Sequence, residues 1–183
     1  MKDIDTLLKE VKRIHFIGIG GSGMCPLAEI LLSLGYQLSG SDNNDTGPFR
    51  RIAKDGAKVH LGPELLGAMS RIFSNCIGIS GSHGKTTTPS MATQVLLEAG
   101  LDPSAVIGGK LPAINAYGRY GHSQNFVCES CEYNNTFLHM NPDIAVVLNI
   151  DRDHLDFFGD LEHIQEAFIK FANKATRTVI YNG

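Results

Sequence analysis

Twice in the first half of the chain, a short apolar run breaks into glycines and then resumes as a helical pattern. The first break is Gly18-Ile19-Gly20-Gly21-Ser22-Gly23, at the end of the run Arg13–Ile19. The second is Gly81-Ser82-His83-Gly84-Lys85-Thr86-Thr87-Thr88, directly after Cys76–Ser80. A strand that enters a glycine-rich turn and continues as a helix is the phosphate-binding unit of α/β proteins. Glycines let the backbone approach an anion, and the helix start supplies N–H groups and a positive dipole end.

The rest of the chain agrees with such a class. Apolar or β-branched runs at Tyr36–Ser41, Ala57–Leu61, Asn125–Glu129, Asp143–Ile150 and Thr176–Tyr181 read as further strands. Helical spacing links Met24, Leu27, Ala28, Leu31 and Leu34, with Gly35 as the stop, and Met91, Ala92, Val95, Leu96 and Ala99, with Gly100 as the stop. Leu161, Ile164, Phe168 and Phe171 form a third stripe. Alternating strands and helices predict a parallel sheet covered on both faces. The expected fold is α/β: an abbreviated Rossmann-like part over 1–62, then a parallel-sheet phosphate-loop domain over 63–183. Both parts read as incomplete. The first has only three strands, and the chain stops at Gly183 directly after a strand.

Composition removes several function classes. The 16 Lys and Arg against 19 Asp and Glu leave a formal charge of −3, a poor match for nucleic acid or an anionic membrane. No apolar run is long enough to span a bilayer. Residues 1–13 are charged throughout and lack the apolar centre of a signal peptide. With four cysteines and no export signal, the expected compartment is the cytoplasm.

The two loops differ in what they specify. In the first, Gly18, Gly20 and Gly23 would cradle a pyrophosphate, and Asp42, after the second strand, stands where an acidic residue meets a ribose hydroxyl. This motif alone also fits a nicotinamide-dependent oxidoreductase or an empty tight turn. The second loop is more specific. Gly81, Ser82, His83, Gly84, Lys85, Thr86 and Thr87 would hold ATP phosphates. Lys85 would neutralise β/γ charge, and the Thr86 hydroxyl would ligate Mg²⁺. The loop is two residues shorter than the usual spacing, because Ile79 stands at the leading glycine position. As a loop side chain, Lys85 is expected to contribute little to the core. Two phosphate loops argue against a dehydrogenase, which needs one.

Downstream, Glu129 ends a strand and is a candidate Mg²⁺ partner, the alternative being a solvated strand-end carboxylate. His154, among Asp151, Asp153 and Asp156, can ligate a metal or contact phosphate, or belong to a turn before the next helix. Cys128 and Cys131 form a C-x-x-C, but no second pair accompanies them and their spacing on a strand separates the thiols, so no zinc is expected.

The four segments GIGGSGM (18–24), GSHGKTTT (81–88), FVCESCE (126–132) and NIDRDHLD (149–156), in this order, resemble the Mur ligases of peptidoglycan synthesis. Gly108-Gly109-Lys110-Leu111 and Asn115 resemble the stretch that follows the family's ATP-loop helix. The resemblance is strongest to the members that join L-alanine to UDP-N-acetylmuramate. It implies three domains, for UDP-sugar, for ATP, and for ATP with the incoming amino acid. It implies amide formation through an acyl phosphate, with ATP and Mg²⁺. It places Gly18, Gly20 and Gly23 near the UDP phosphates, and it gives Lys85, Glu129 and His154 catalytic roles, with Thr86, Glu129 and His154 on the metal. Ser82 and Pro89 stand where Thr is common, and Cys131 where several relatives have Asp. Between residues 60 and 65 the family has several tens of further residues, and its third domain is expected to be absent. Two alternatives remain: a non-catalytic nucleotide-binding fragment, and the related ligase that recycles murein tripeptides.

Overall fold

The computed structural model describes residues 10–20 and 24–182, in two compact units that divide between Leu65 and Leu66. The first unit is a three-stranded parallel sheet in the order β1 (Arg13–Ile17), β2 (Gln37–Asp42), β3 (Lys58–Leu61). Helix α1 (Met24–Ser33) connects the first pair, and α2 (Gly47–Lys54) the second. The α1 segment ends as its glycine predicts. Gly35 takes a φ of +86° and Tyr36 N–H bonds back to Leu31 C=O, the left-handed ending that only glycine adopts cheaply. Phe16, Ile19, Ala28, Leu38, Phe49 and Ile52 pack into the core of this unit.

Helix α2 escapes a periodicity reading because it offers only two buried side chains, Phe49 and Ile52. Its start is local chemistry instead: Thr46 Oγ1 accepts the Phe49 N–H at 3.3 Å, and a proline occupies the first turn. After β3 the chain goes directly into α3 (Gly62–Ser70).

The second unit is a six-stranded sheet in the order β6-β5-β7-β4-β8-β9. Its strands are β4 (Asn75–Ser80), β5 (Ser104–Leu111), β6 (Ala116–Arg119), β7 (Asn125–Glu129), β8 (Ile144–Val147) and β9 (Thr178–Tyr181). All neighbours are parallel except the edge pair β5–β6. Helices α4 (Thr87–Glu98) and α6 (Leu161–Ala172) flank it, with a single turn, α5 (Leu155–Phe158), before α6.

Strand alternation divides two cores between the faces of this sheet. Phe126 and Cys128 of β7 join Ile164, Phe168 and Phe171 of α6. Val127, between them, packs with Ile79 and Ala105 beneath Ala92 and Leu96 of α4. Cys76 and Cys128 are fully buried small apolar side chains in the first core, and burial pushes the Cys76 thiol up to about 12. Cys131 is exposed beyond the strand.

Strands β5 and β6 are absent from the sequence reading. The apolar run Ser104–Ile107 is interrupted by Gly108-Gly109-Lys110, which breaks the strand pattern. The glycines have another purpose, set by what lies against them.

Candidate functional site

β4 lies between β7 and β8, so its loop opens between the ends of two other parallel strands. The chain leaves β4 towards β5 on one side and later enters β8 on the other. Such a reversal creates a crevice at the carboxyl ends of the strands.

The glycine loop is fastened to the segment after β8. Asn149 Oδ1 accepts the His83 N–H at 2.8 Å, and Asn149 Nδ2 donates to His83 C=O at 3.0 Å. Ser82 N–H bonds Asn149 C=O, and Ser82 Oγ accepts the Asp151 N–H at 2.8 Å. His83 Nε2 lies 3.4 Å from Asp151 Oδ2. The Arg152 backbone N–H, then the His83 ring, hold the Asp151 carboxyl below the usual aspartate range. Gly84, at a φ of +81°, makes the turn into α4, and Thr88 N–H bonds back to its carbonyl. The N–H groups from Gly84 to Thr87 are therefore the ones at this helix start that face outward for an anion.

Lys85 does not extend into solvent. Its side chain is only 16% exposed, and Nζ donates to Ser82 C=O at 3.0 Å and to Glu132 Oε1 at 2.7 Å. The expectation of a loop lysine with little part in the core is thus corrected, because its partner is 2% exposed. Glu132 Oε2 is buried with no hydrogen-bond partner. His154 Nε2 lies 3.7 Å from Glu132 Oε1 and 3.8 Å from Asp153 Oδ2. Glu132, Asp153 and His154 each present one ligand atom, all within 4.8 Å of one another, and so could hold a metal ion.

Thr86 and Glu129 lie against the two consecutive glycines of β5. Glu129 Oε2 accepts the Gly108 N–H at 2.7 Å, and any Cβ on Gly108 would overlap that carboxylate. A Cβ on Gly109 would lie 2.6 Å from Thr86 Cγ2. The glycines inside this strand therefore admit two polar side chains against the backbone. Among the residues singled out from the sequence, the structure places Glu129 against Gly108 and Thr86 against the neighbouring Gly109, and it brings Lys85 to His154 by way of Glu132. The two clusters join at the consecutive residues Lys85 and Thr86.

Glu132 and Asn149 were missed as site residues. Both lie in quoted motifs, at strand ends, where a carboxylate and an amide beyond the last strand residue are a usable signal. Their burial and their partners are tertiary facts.

In the first unit, Gly18 and Asp42 line a cavity of about 190 Å³ with Ile17, Ser41, Asn43 and Gly62. Asp42 uses one carboxylate oxygen for the Gly20 N–H at 2.8 Å and the other for the Asn44 N–H at 3.1 Å, so it shapes the glycine turn itself. Gly23 lies outside the described residues.

Comparison with known proteins matches both parts of the chain to one family. The Mur ligase middle domain matches residues 79–183, and the catalytic domain of the Mur ligase family matches residues 13–77. UDP-N-acetylmuramate–L-alanine ligase of Syntrophobacter fumaroxidans is 42% identical over 206 residues, covering 92% of this chain and 44% of the relative. The ligase of the same name from Xanthomonas oryzae pv. oryzae is 41% identical over 212 residues, covering 95% and 44%. The chain thus spans less than half the length of these relatives. Both alignments are longer than the 183 residues of the chain, so the relatives carry residues within the matched span that this chain does not have.

Among solved structures, UDP-N-acetylmuramate:L-alanyl-γ-D-glutamyl-meso-diaminopimelate ligase from Neisseria meningitidis superposes with a TM-score of 0.69 at 28% identity, over 94% of this chain and 72% of that one. UDP-N-acetylmuramate-alanine ligase from Thermotoga maritima shares the fold, with a TM-score of 0.58 at 22% identity, over 92% and 48%. With a family domain matched over more than half its length and close relatives over nearly all of it, the chain belongs to the Mur ligase family.

Proposed function

We propose that this chain carries the ATP site and part of the UDP-sugar site of a ligase that joins L-alanine to UDP-N-acetylmuramate. The observation that supports it most is the second loop: a glycine turn at a helix start, with Lys85 and Thr86 beside two strand-end carboxylates. The names of the relatives supply the substrates.

In this reading the muramoyl carboxylate oxygen attacks the γ-phosphorus of ATP and ADP leaves. The L-alanine amine then attacks the acyl carbon, inorganic phosphate leaves, and the amine gives up a proton. Such chemistry depends on alignment and on neutralising phosphate charge. The N–H groups of Gly84 to Thr87 hold phosphate oxygens, and the Lys85 ammonium meets the β/γ charge. Asn149 fixes the loop so that these donors are aligned before the nucleotide arrives.

A magnesium ion fits the residues present by the chemistry of the donors: Glu129 offers a carboxylate beside the loop, and Glu132, Asp153 and His154 each present one ligand atom within 4.8 Å of the others. Thr86, Glu129 and His154 are the residues proposed to hold it, and when bound it would neutralise phosphate charge. Gly18, Gly20 and Gly23 are the proposed UDP-phosphate contacts, with Asp42 holding the turn. The proposed compartment is the cytoplasm, where an exposed thiol such as Cys131 stays reduced.

The test is equilibrium binding of ATP with Mg²⁺, of UDP-N-acetylmuramate and of NADPH to the full chain. The reading expects the first two to bind and NADPH not to. NADPH binding with no ATP binding would replace it by an oxidoreductase.

A further inference from the structure

We propose that Glu132 is a positioning residue that holds Lys85 until a phosphate takes the lysine over. The inference rests on the ATP-site reading above and adds to it a residue that acts before the nucleotide is bound.

Lys85 Nζ is folded back over its own loop, held by Ser82 C=O on one side and Glu132 Oε1 on the other. The carboxylate therefore occupies a place on Lys85 that a phosphate oxygen would claim. A purely structural buried ion pair is expected to use all its hydrogen-bonding capacity, since unpaired buried polar atoms are costly. Glu132 instead leaves Oε2 buried and unpartnered. Among the described residues, Lys85 is the cation that hydrogen-bonds it, and Lys85 is the residue the loop offers to phosphate.

The backbone around this contact is also unusual. Asn134, Asn135 and His154 have φ of +54°, +57° and +52°, three of the five positive values at non-glycine residues among those described. They flank Glu132 on one segment and carry His154 on the other. Each such residue costs free energy, and such residues persist where the surrounding structure holds a functional group in place. His154 stays 3.7 Å from Glu132 Oε1, so the carboxylate keeps a neighbour when Lys85 departs. Lys85 is thereby kept folded against the loop, at the cost that a nucleotide must compete with a carboxylate for it.

Glu132→Gln keeps the shape and an acceptor for Lys85 but removes the competing charge. ADP binding, measured by calorimetry in EDTA so that no divalent cation intervenes, is expected to become roughly three- to tenfold tighter. Unchanged or weaker ADP binding by Glu132→Gln, with the parent binding normally, overturns the proposal and leaves the ATP reading intact. No binding of ADP or ATP by either chain overturns the ATP reading, and this proposal with it. Melting temperature supplies an independent readout. Lys85→Ala should lower it by several degrees by leaving a buried charge unpaired, and Lys85→Ala with Glu132→Gln should recover most of the loss. Failure of the double variant to recover, or no loss in the single one, shows that the pair does not hold Glu132 and overturns the proposal.

Discussion

At Lys85 one side chain is part of two balances. It is a phosphate donor in the proposed function, and it is the only cation that hydrogen-bonds the buried Glu132 carboxylate among the described residues. Removing one member of a buried pair costs about 3–5 kcal/mol, far more than removing a surface lysine. Lys85→Ala should therefore weaken ATP binding at least about tenfold and also destabilise the fold by roughly 3 kcal/mol, read by urea denaturation. An unchanged denaturation midpoint would mean that the ion pair contributes nothing. Gly108 tests the other cluster. Gly108→Ala drives a methyl group into the Glu129 carboxylate and breaks its bond to the Gly108 N–H. The fold should survive, because the change is confined to one exposed position of β5. The enhancement of ATP binding by Mg²⁺ should fall by about tenfold, and titrations with and without the metal check it. Lys85, Thr86, Glu129 and His154 could be singled out from sequence as candidates because each stands at a strand end or helix start with a recognisable neighbour. Glu132 was not, because its burial depends on a partner 47 residues away.

Elements were legible where periodicity or a stop glycine marked them. β4, β7 and α6 follow their apolar patterns; α4 forms where its pattern and its stop at Gly100, with a φ of +68°, predict, but only Ala92 and Leu96 of its stripe pack on the core, while Met91 and Val95 are exposed. β5 was hidden because its interior glycines serve neighbouring side chains instead of a turn, and α2 because two buried residues make no stripe. One side chain adds to the backbone pairing of β8 with β4 and β9 at the starts of these strands. Asp143 accepts the Cys76 N–H at 2.8 Å and the Thr176 hydroxyl at 2.7 Å, and it faces Arg177. Burial pushes its carboxyl up, but the Cys76 N–H, the Thr176 hydroxyl and the Arg177 charge outweigh that and hold it below the usual aspartate range. A group whose folded pKa is depressed contributes stability above its unfolded value of about 3.9, and the contribution disappears as pH falls through the lower folded value. Asp143→Ala should cost about 1–2 kcal/mol at neutral pH and little in acid below that range. Denaturation curves at several pH values would show the parent and the variant converging on the acid side. A constant gap across pH would contradict this account.

At the scale of the molecule, the sequence places the division at residue 62, and the compact units divide at 65. That boundary is hard to read because β3 passes directly into α3 with no linker of distinctive composition. The parallel α/β architecture was legible from the alternation of patterns, whereas the antiparallel edge pair β5–β6 was not. Each unit carries its own glycine turn, so the central claim is about address: ATP belongs to the loop of the second unit. Hydrogen exchange followed by mass spectrometry on the full chain, with and without ATP and Mg²⁺, measures that address. Slowed exchange in peptides spanning 81–88 and 149–154, with the turn at 18–20 unchanged, is the predicted result, and the protection should be lost in Lys85→Ala. Protection confined to the turn at 18–20 and the β2 end at Asp42, with 81–88 unaffected, would contradict it.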